Sequence, residues 1–114
     1  WEFGNFFVLD FWKLTEDILK SYDTILLNAF LDVLENGDKA LNFLLSLRPK
    51  SVCIQRMAFT DKESHYSTYQ AYGVDIYKYR HNRENFKTMV SNHDYSLHQF
   101  GHAIDSEHYY LTRK

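Results

Sequence analysis

The stretch His98-Gln99-Phe100-Gly101-His102-Ala103-Ile104-Asp105 decides how this chain is read. Residues four apart differ by about 40° around a helix axis, so in a helix His98 and His102 leave one face and can share a metal ion. Asp105 falls on that face too, where a carboxylate can orient a metal-bound imidazole. Gln99 has nearly the shape of Glu but no basic carboxylate. Gly101 costs about 1 kcal/mol relative to Ala inside a helix, which points to close approach by a neighbouring element. The spacing predicts a C-terminal helix, starting at Asp94 or Ser96, that carries a metal motif lacking its base. The competing reading is two polar residues on a partly exposed helix face, with no metal.

Length and composition frame that helix. The chain has 114 residues, enough for one domain, 1–114, with a hydrophobic core and no disulfide support. It opens at Trp1, so a mature fragment, an excised domain or a trimmed chain is expected. Net charge is −2 with no long basic run, so nucleic acid and anionic membrane are poor partners. No apolar run approaches ~18 residues, and no membrane span is expected. Cys53 is the one cysteine, in an apolar stretch, and reads as a buried inert thiol.

The apolar spacing predicts N-terminal helices. Phe7, Val8, Phe11, Trp12, Leu14, Ile18 and Leu19 recur at helix spacing, and Ile25 to Leu34 repeats the pattern. Asn36-Gly37 reads as a helix stop, and Asp38 as the cap of a short third helix running to Leu47 before Pro49. Val52 to Phe59 is strand-like. Tyr66 to Tyr79 reads as a hairpin, or as one long strand bulged at Gly73. Arg80 to Asn85 reads as a charged connection. The expected architecture is α+β: N-terminal helices, a small Tyr-rich sheet and the C-terminal metal-motif helix.

In zinc peptidases the working motif is H-E-x-x-H, whose Glu takes a proton from metal-bound water. The eight residues from His98 to Asp105 resemble the H-E-[FY]-G-H-A-x-D helix of the zincin metallopeptidases of the anthrax lethal factor and Pro-Pro endopeptidase type; only the Glu position departs. The resemblance implies a zincin-like fold, Zn2+ on His98 and His102, a secreted peptidase or toxin ancestry, and hydrolysis abolished or strongly impaired by Gln99. Gln99 is either natural, making a pseudoenzyme, or an engineered knockout. The family's third ligand, a Glu on a later helix, has no match in the short segment after His102. Asp105 is a candidate to orient a His ring, and Glu107 and His108 are the nearby residues of ligand type; His98, His102 and His108 also reproduce an H-x3-H-x5-H spacing.

The alternative function is a non-catalytic docking module for a peptide or protein, for example within a toxin. Its contact surface would be Tyr66, Tyr69, Tyr72, Tyr77 and Tyr79, because an edge strand can hold an extended peptide by backbone pairing. His65, His81 and His93 have no recruiting spacing and read as ordinary surface residues. Tyr109 and Tyr110 read either as oxyanion donors or as aromatic packing. There is no G-x-S-x-G, P-loop, Rossmann fingerprint or C-x2-C pair.

Overall fold

The computed structural model describes residues 9–103 and 105–114, with the side chains of Tyr69 and Tyr77 outside the described set. Phe7, Val8 and Ile104 also fall outside it. The α+β class holds: helices pack against a mixed sheet. The elements are α1 (Glu16–Leu19), β1 (Ile25–Asn28), α2 (Gly37–Ser46), β2 (Ser51–Thr60), β3 (His65–Ala71), β4 (Val74–Asn82), α3 (Arg83–Asn92), β5 (Tyr95–Ala103) and β6 (Ser106–Arg113). No helix among the described residues is long and apolar enough to cross a membrane.

Strand β2 organises the sheet, whose order is β3-β4-β2-β6-β5. Its first half pairs in parallel with β1, and its last residues, Ala58 to Thr60, pair in parallel with β4. On its other side β2 runs antiparallel to β6, which pairs with β5. The register places Leu27, Val52, Ile54, Tyr109, Leu111, Tyr95 and Leu97 on one face. Leu41, Leu44 and Leu45 of α2 and Phe86 and Val90 of α3 join them in a single core.

Several expected elements differ, each for a local reason. The first apolar stripe is cut by two caps: Asp10 accepts from the Trp12 N–H ahead of a 3-10 turn (Phe11–Lys13), and Thr15 accepts from the Ile18 N–H ahead of α1. The second expected helix is β1 at its start, because strand pairing with β2 buries Leu27 while Leu26 points to solvent. Asn36-Gly37 opens a helix instead of closing one: the Asn36 side chain caps the Lys39 N–H. Gly37 is required there, since a Cβ would collide with the Leu31 carbonyl oxygen and press on His81 and Tyr79. The run from Arg83 to Asn92 is α3, capped by the Asn82 side chain on the Asn85 N–H.

Two expectations on the sheet are met. The Val52–Phe59 strand is β2, with a bulge between Ile54 and Met57 where Arg56 has φ 65°. The Tyr66–Tyr79 stretch is a hairpin, turning at Tyr72 (φ 55°) and Gly73 (φ 77°), the two positive φ angles of a type I′ turn.

The largest correction concerns the motif itself. The stretch expected as a metal-motif helix is strand β5, joined to β6 by a turn containing Asp105 at φ 60°. Tyr95 and Leu97 alternate inward with period two and meet Arg113 and Leu111 across the ladder. Core burial against α3 and pairing with β6 outweigh the helical spacing of the two histidines.

Candidate functional site

Strand geometry redistributes the motif. His98 lies opposite Tyr110, Gln99 opposite Tyr109, Gly101 opposite His108 and His102 opposite Glu107; Phe100 is the extra residue of a bulge. Residues paired with odd-numbered β6 positions share the face of Tyr109 and Leu111. Gln99 and His102 therefore look towards the helix side, while His98 looks to the opposite face. Without the bulge, residues four apart in a strand would share a face; the bulge at Phe100 separates them. The two imidazoles also sit along roughly 13 Å of extended chain.

This arrangement does not fit the zinc site that the motif implies. Among the described residues no group of three His, Cys, Asp or Glu side chains is placed to hold a metal ion. His108 shares the face of His98, but its ring stacks on Phe100 and its Nδ1 accepts the Arg56 N–H at 2.9 Å. Gly101 does permit the expected close approach: a Cβ would stand 3.3 Å from the His108 ring.

Gln99, His102, Asp105 and Glu107 instead line an open cleft of about 370 Å³, together with Phe59 and Arg83. Glu107 receives both Arg83 terminal nitrogens, at 2.9 and 2.6 Å, and the Tyr109 hydroxyl at 2.8 Å. The Arg83 bonds hold the Glu107 carboxyl below its ordinary range. Burial, with the Glu107 charge beside it, pushes the Tyr109 phenol up to about 12. Arg83 also lies over the Phe59 ring at 4.6 Å. Asp105 binds Arg80 at 3.0 and 2.6 Å and Lys78 at 2.7 Å, which keeps its carboxyl well below the usual range. The charges lining the cleft are thus internally paired, which braces the β5–β6 end against β4 and α3. Tyr109 is buried in aromatic packing against Phe59 and Phe86, the plainer of its two readings.

The five tyrosines of the expected contact surface also separate. Tyr72 stands at the hairpin tip, 99% exposed. Tyr66 is part-exposed and donates to Glu35 at 3.2 Å. Tyr79 is buried and donates to Asp38 at 3.1 Å. Tyr69 and Tyr77 pair with Ile76 and Thr68 in the ladder.

His81 corrects another expectation. It is fully buried, not a surface residue, with Nδ1 2.6 Å from Asp38 Oδ1. Burial pushes the Asp38 carboxyl up, but hydrogen bonds from His81, Ser64 and Tyr79 outweigh it and hold the group low. Asp38 and His81 are far apart in sequence and carry no spacing signal. His65 is exposed, as expected, with its ring on the Glu63 carbonyl, whereas His93 is half-buried with its ring on the Asn42 side chain.

The outer edge of β3, which pairs with no other strand among the described residues, is the other accessible feature. Its residues His65-Tyr66-Ser67-Thr68-Tyr69-Gln70-Ala71 include no Lys, Arg, Asp, Glu or Pro, the residues that commonly blunt an edge. His65 to Thr68 and Gln70 are exposed, so both faces of the strand meet solvent. The ladder parity is fixed by one bond: the Tyr79 N–H donates to the Asp32 carbonyl at 2.6 Å, away from β3. Tyr66–Tyr79 is therefore a non-hydrogen-bonded pair, and alternation extends this to Thr68–Tyr77 and Gln70–Asp75. The backbone N–H and C=O of Thr68 and Gln70 consequently point outward from the sheet. No protein-family model and no curated protein matches this chain.

Proposed function

We propose that this chain is a non-catalytic protein-binding module, which takes an extended peptide or protein strand along the edge of β3. The observation that carries this reading is the outward set of backbone groups on an uncharged, unbulged edge strand exposed on both faces. Main-chain hydrogen bonds would supply affinity, and side chains beside the strand, with Tyr72 at its end, would supply selectivity. The opposite edge, β5, is equally uncharged but is interrupted at Phe100, so it offers a shorter regular ladder. The peptidase alternative, with zinc on His98 and His102, draws less support because those rings occupy opposite faces of β5.

Panning a random-peptide display library tests the proposal. Selected peptides are expected to shift the amide resonances of Thr68 and Gln70 and to bind Thr68→Pro at least about tenfold more weakly, since Pro removes an outward N–H. Peptides that bind Thr68→Pro as well as wild type, or that perturb only the Gln99–Glu107 cleft, would overturn it.

A further inference from the structure

We propose that the strand received by β3 is β3 of a second copy of this chain, paired antiparallel about a two-fold axis at Thr68. This inference rests on the reading of β3 as the docking edge and names its occupant.

The edge is self-complementary about its middle. Thr68 is central in His65–Ala71 and has outward backbone groups, so a two-fold axis there makes a hydrogen-bonded Thr68–Thr68 pair. The same register sets Gln70, also outward-facing, beside Tyr66 of the second copy. The isologous arrangement thus repeats its bonds on both sides of the axis. Side chains agree with it: Thr faces Thr, a favourable cross-strand pair, and His65 faces Ala71. No like charges oppose each other in the paired segment, because β3 carries none.

The register also covers the most exposed aromatic residue of the described chain. Counting outward from Thr68, Tyr72 of one copy lies beside Ser64 of the other. Tyr72 is 99% exposed, and nothing stands within 4 Å of a Cβ built on its neighbour Gly73. The hairpin has only limited support of its own. Among the described residues β4 has no strand partner other than β3 from Val74 to Tyr79, and isolated two-stranded ribbons are marginal in water. Pairing two hairpins gives a four-stranded ribbon, above that limit. β5 provides no comparable axis, because its bulge at Phe100 breaks the alternation that a symmetric ladder needs.

The experiment combines sedimentation equilibrium with cysteine pairing in a Cys53→Ser background. Wild type should show a concentration-dependent monomer–dimer equilibrium, and Thr68→Pro should weaken it at least about tenfold. Thr68→Cys should form a disulfide-linked dimer on mild oxidation. Opposed Cα atoms at a hydrogen-bonded pair are about 5.5 Å apart, within disulfide reach. Gln70→Cys should not link to itself but should link to Tyr66→Cys when the two are mixed. A chain that stays monomeric at millimolar concentration, or a dimer that Thr68→Pro leaves intact, overturns the proposal. If that monomer still binds library-selected peptides along β3, only the second-copy inference fails; if those peptides avoid β3, the docking reading fails as well.

Discussion

The two hairpins of this protein are alike in plan and opposite in exposure. Both turn at residues of positive φ, Tyr72-Gly73 in one and Asp105 in the other, and both end the sheet with an uncharged strand. The β5–β6 hairpin is held from within. Tyr95, Tyr109 and Leu111 enter the core, Arg83 clamps Glu107, and Arg80 and Lys78 clamp Asp105. The β3–β4 hairpin is tied to the body near its base, through Tyr79, His81, the same Lys78 and Arg80 pairs with Asp105, the Tyr66 bond to Glu35 and the short pairing with β2, while β3 itself meets solvent on both faces. The bulged edge is braced, while the regular edge is left open. A long, uncharged, regular edge is an aggregation hazard unless something pairs with it, which is why the proposed contact belongs to β3.

Stability measurements can break this contrast. Leu111 is fully buried in β6, and Leu111→Ala should cost about 2–5 kcal/mol by denaturant unfolding. Tyr72→Ala at the opposite hairpin tip should stay within about 0.5 kcal/mol in dilute protein. Comparable losses at the two sites would show that the outer hairpin is part of the core after all. Gly37→Ala should cost about 1–3 kcal/mol, because the added methyl overpacks the junction of Leu31, Tyr79 and His81 that ties the open hairpin to α2. A neutral Gly37→Ala would mean that this junction yields and that the hairpin is loosely tied.

Acid titration probes the bracing. Arg83 holds Glu107 low, and Asp38 is low because the hydrogen bonds from His81, Ser64 and Tyr79 outweigh its burial. A carboxyl with a depressed folded pKa adds stability above its unfolded pKa of about 4 and loses it as pH falls through the folded value. The unfolding midpoint should be level from neutral pH to about 5 and then fall below about 4. Glu107→Gln or Asp38→Asn should flatten that fall, and an unchanged acid limb in both variants would remove these pairs from the account. The smallest effect belongs to the motif. His98→Ala/His102→Ala should change stability by less than about 0.5 kcal/mol and leave any zinc-induced shift in Tm unchanged. A zinc-dependent Tm rise that the double variant abolishes would place both rings on one ion and refute the strand assignment.

What the sequence revealed follows the range of the interactions involved. β2 is legible because Val52, Ile54, Met57 and Phe59 fall close together in near-alternation and Pro49 separates the run from α2. The β3–β4 turn was legible because Gly73 marks a positive φ. β5 was not: His98, His102 and Asp105 satisfy the helical period while Tyr95 and Leu97 satisfy the strand period. The choice was made by β6 and α3, contacts that no local pattern reports. β1 is hidden for the same reason, since only pairing with β2 distinguishes Ile25–Asn28 from a helix start. Of the candidate site, Gln99, His102, Asp105 and Glu107 do converge on one cleft, but the bulge at Phe100 puts His98 on the face opposite His102, and the ordinary alternation of β6 puts His108 there as well. The Asp38–His81 pair joins α2 to β4 across the chain and left no trace in spacing.

Residue-resolved amide hydrogen exchange at low micromolar concentration tests the open edge most directly. The account predicts alternation along β3: slow exchange at Ser67 and Tyr69, whose amides face β4, and fast exchange at Thr68 and Gln70, which becomes slow as protein concentration rises. Equal protection of neighbouring amides in the dilute protein, or the opposite alternation, would contradict it.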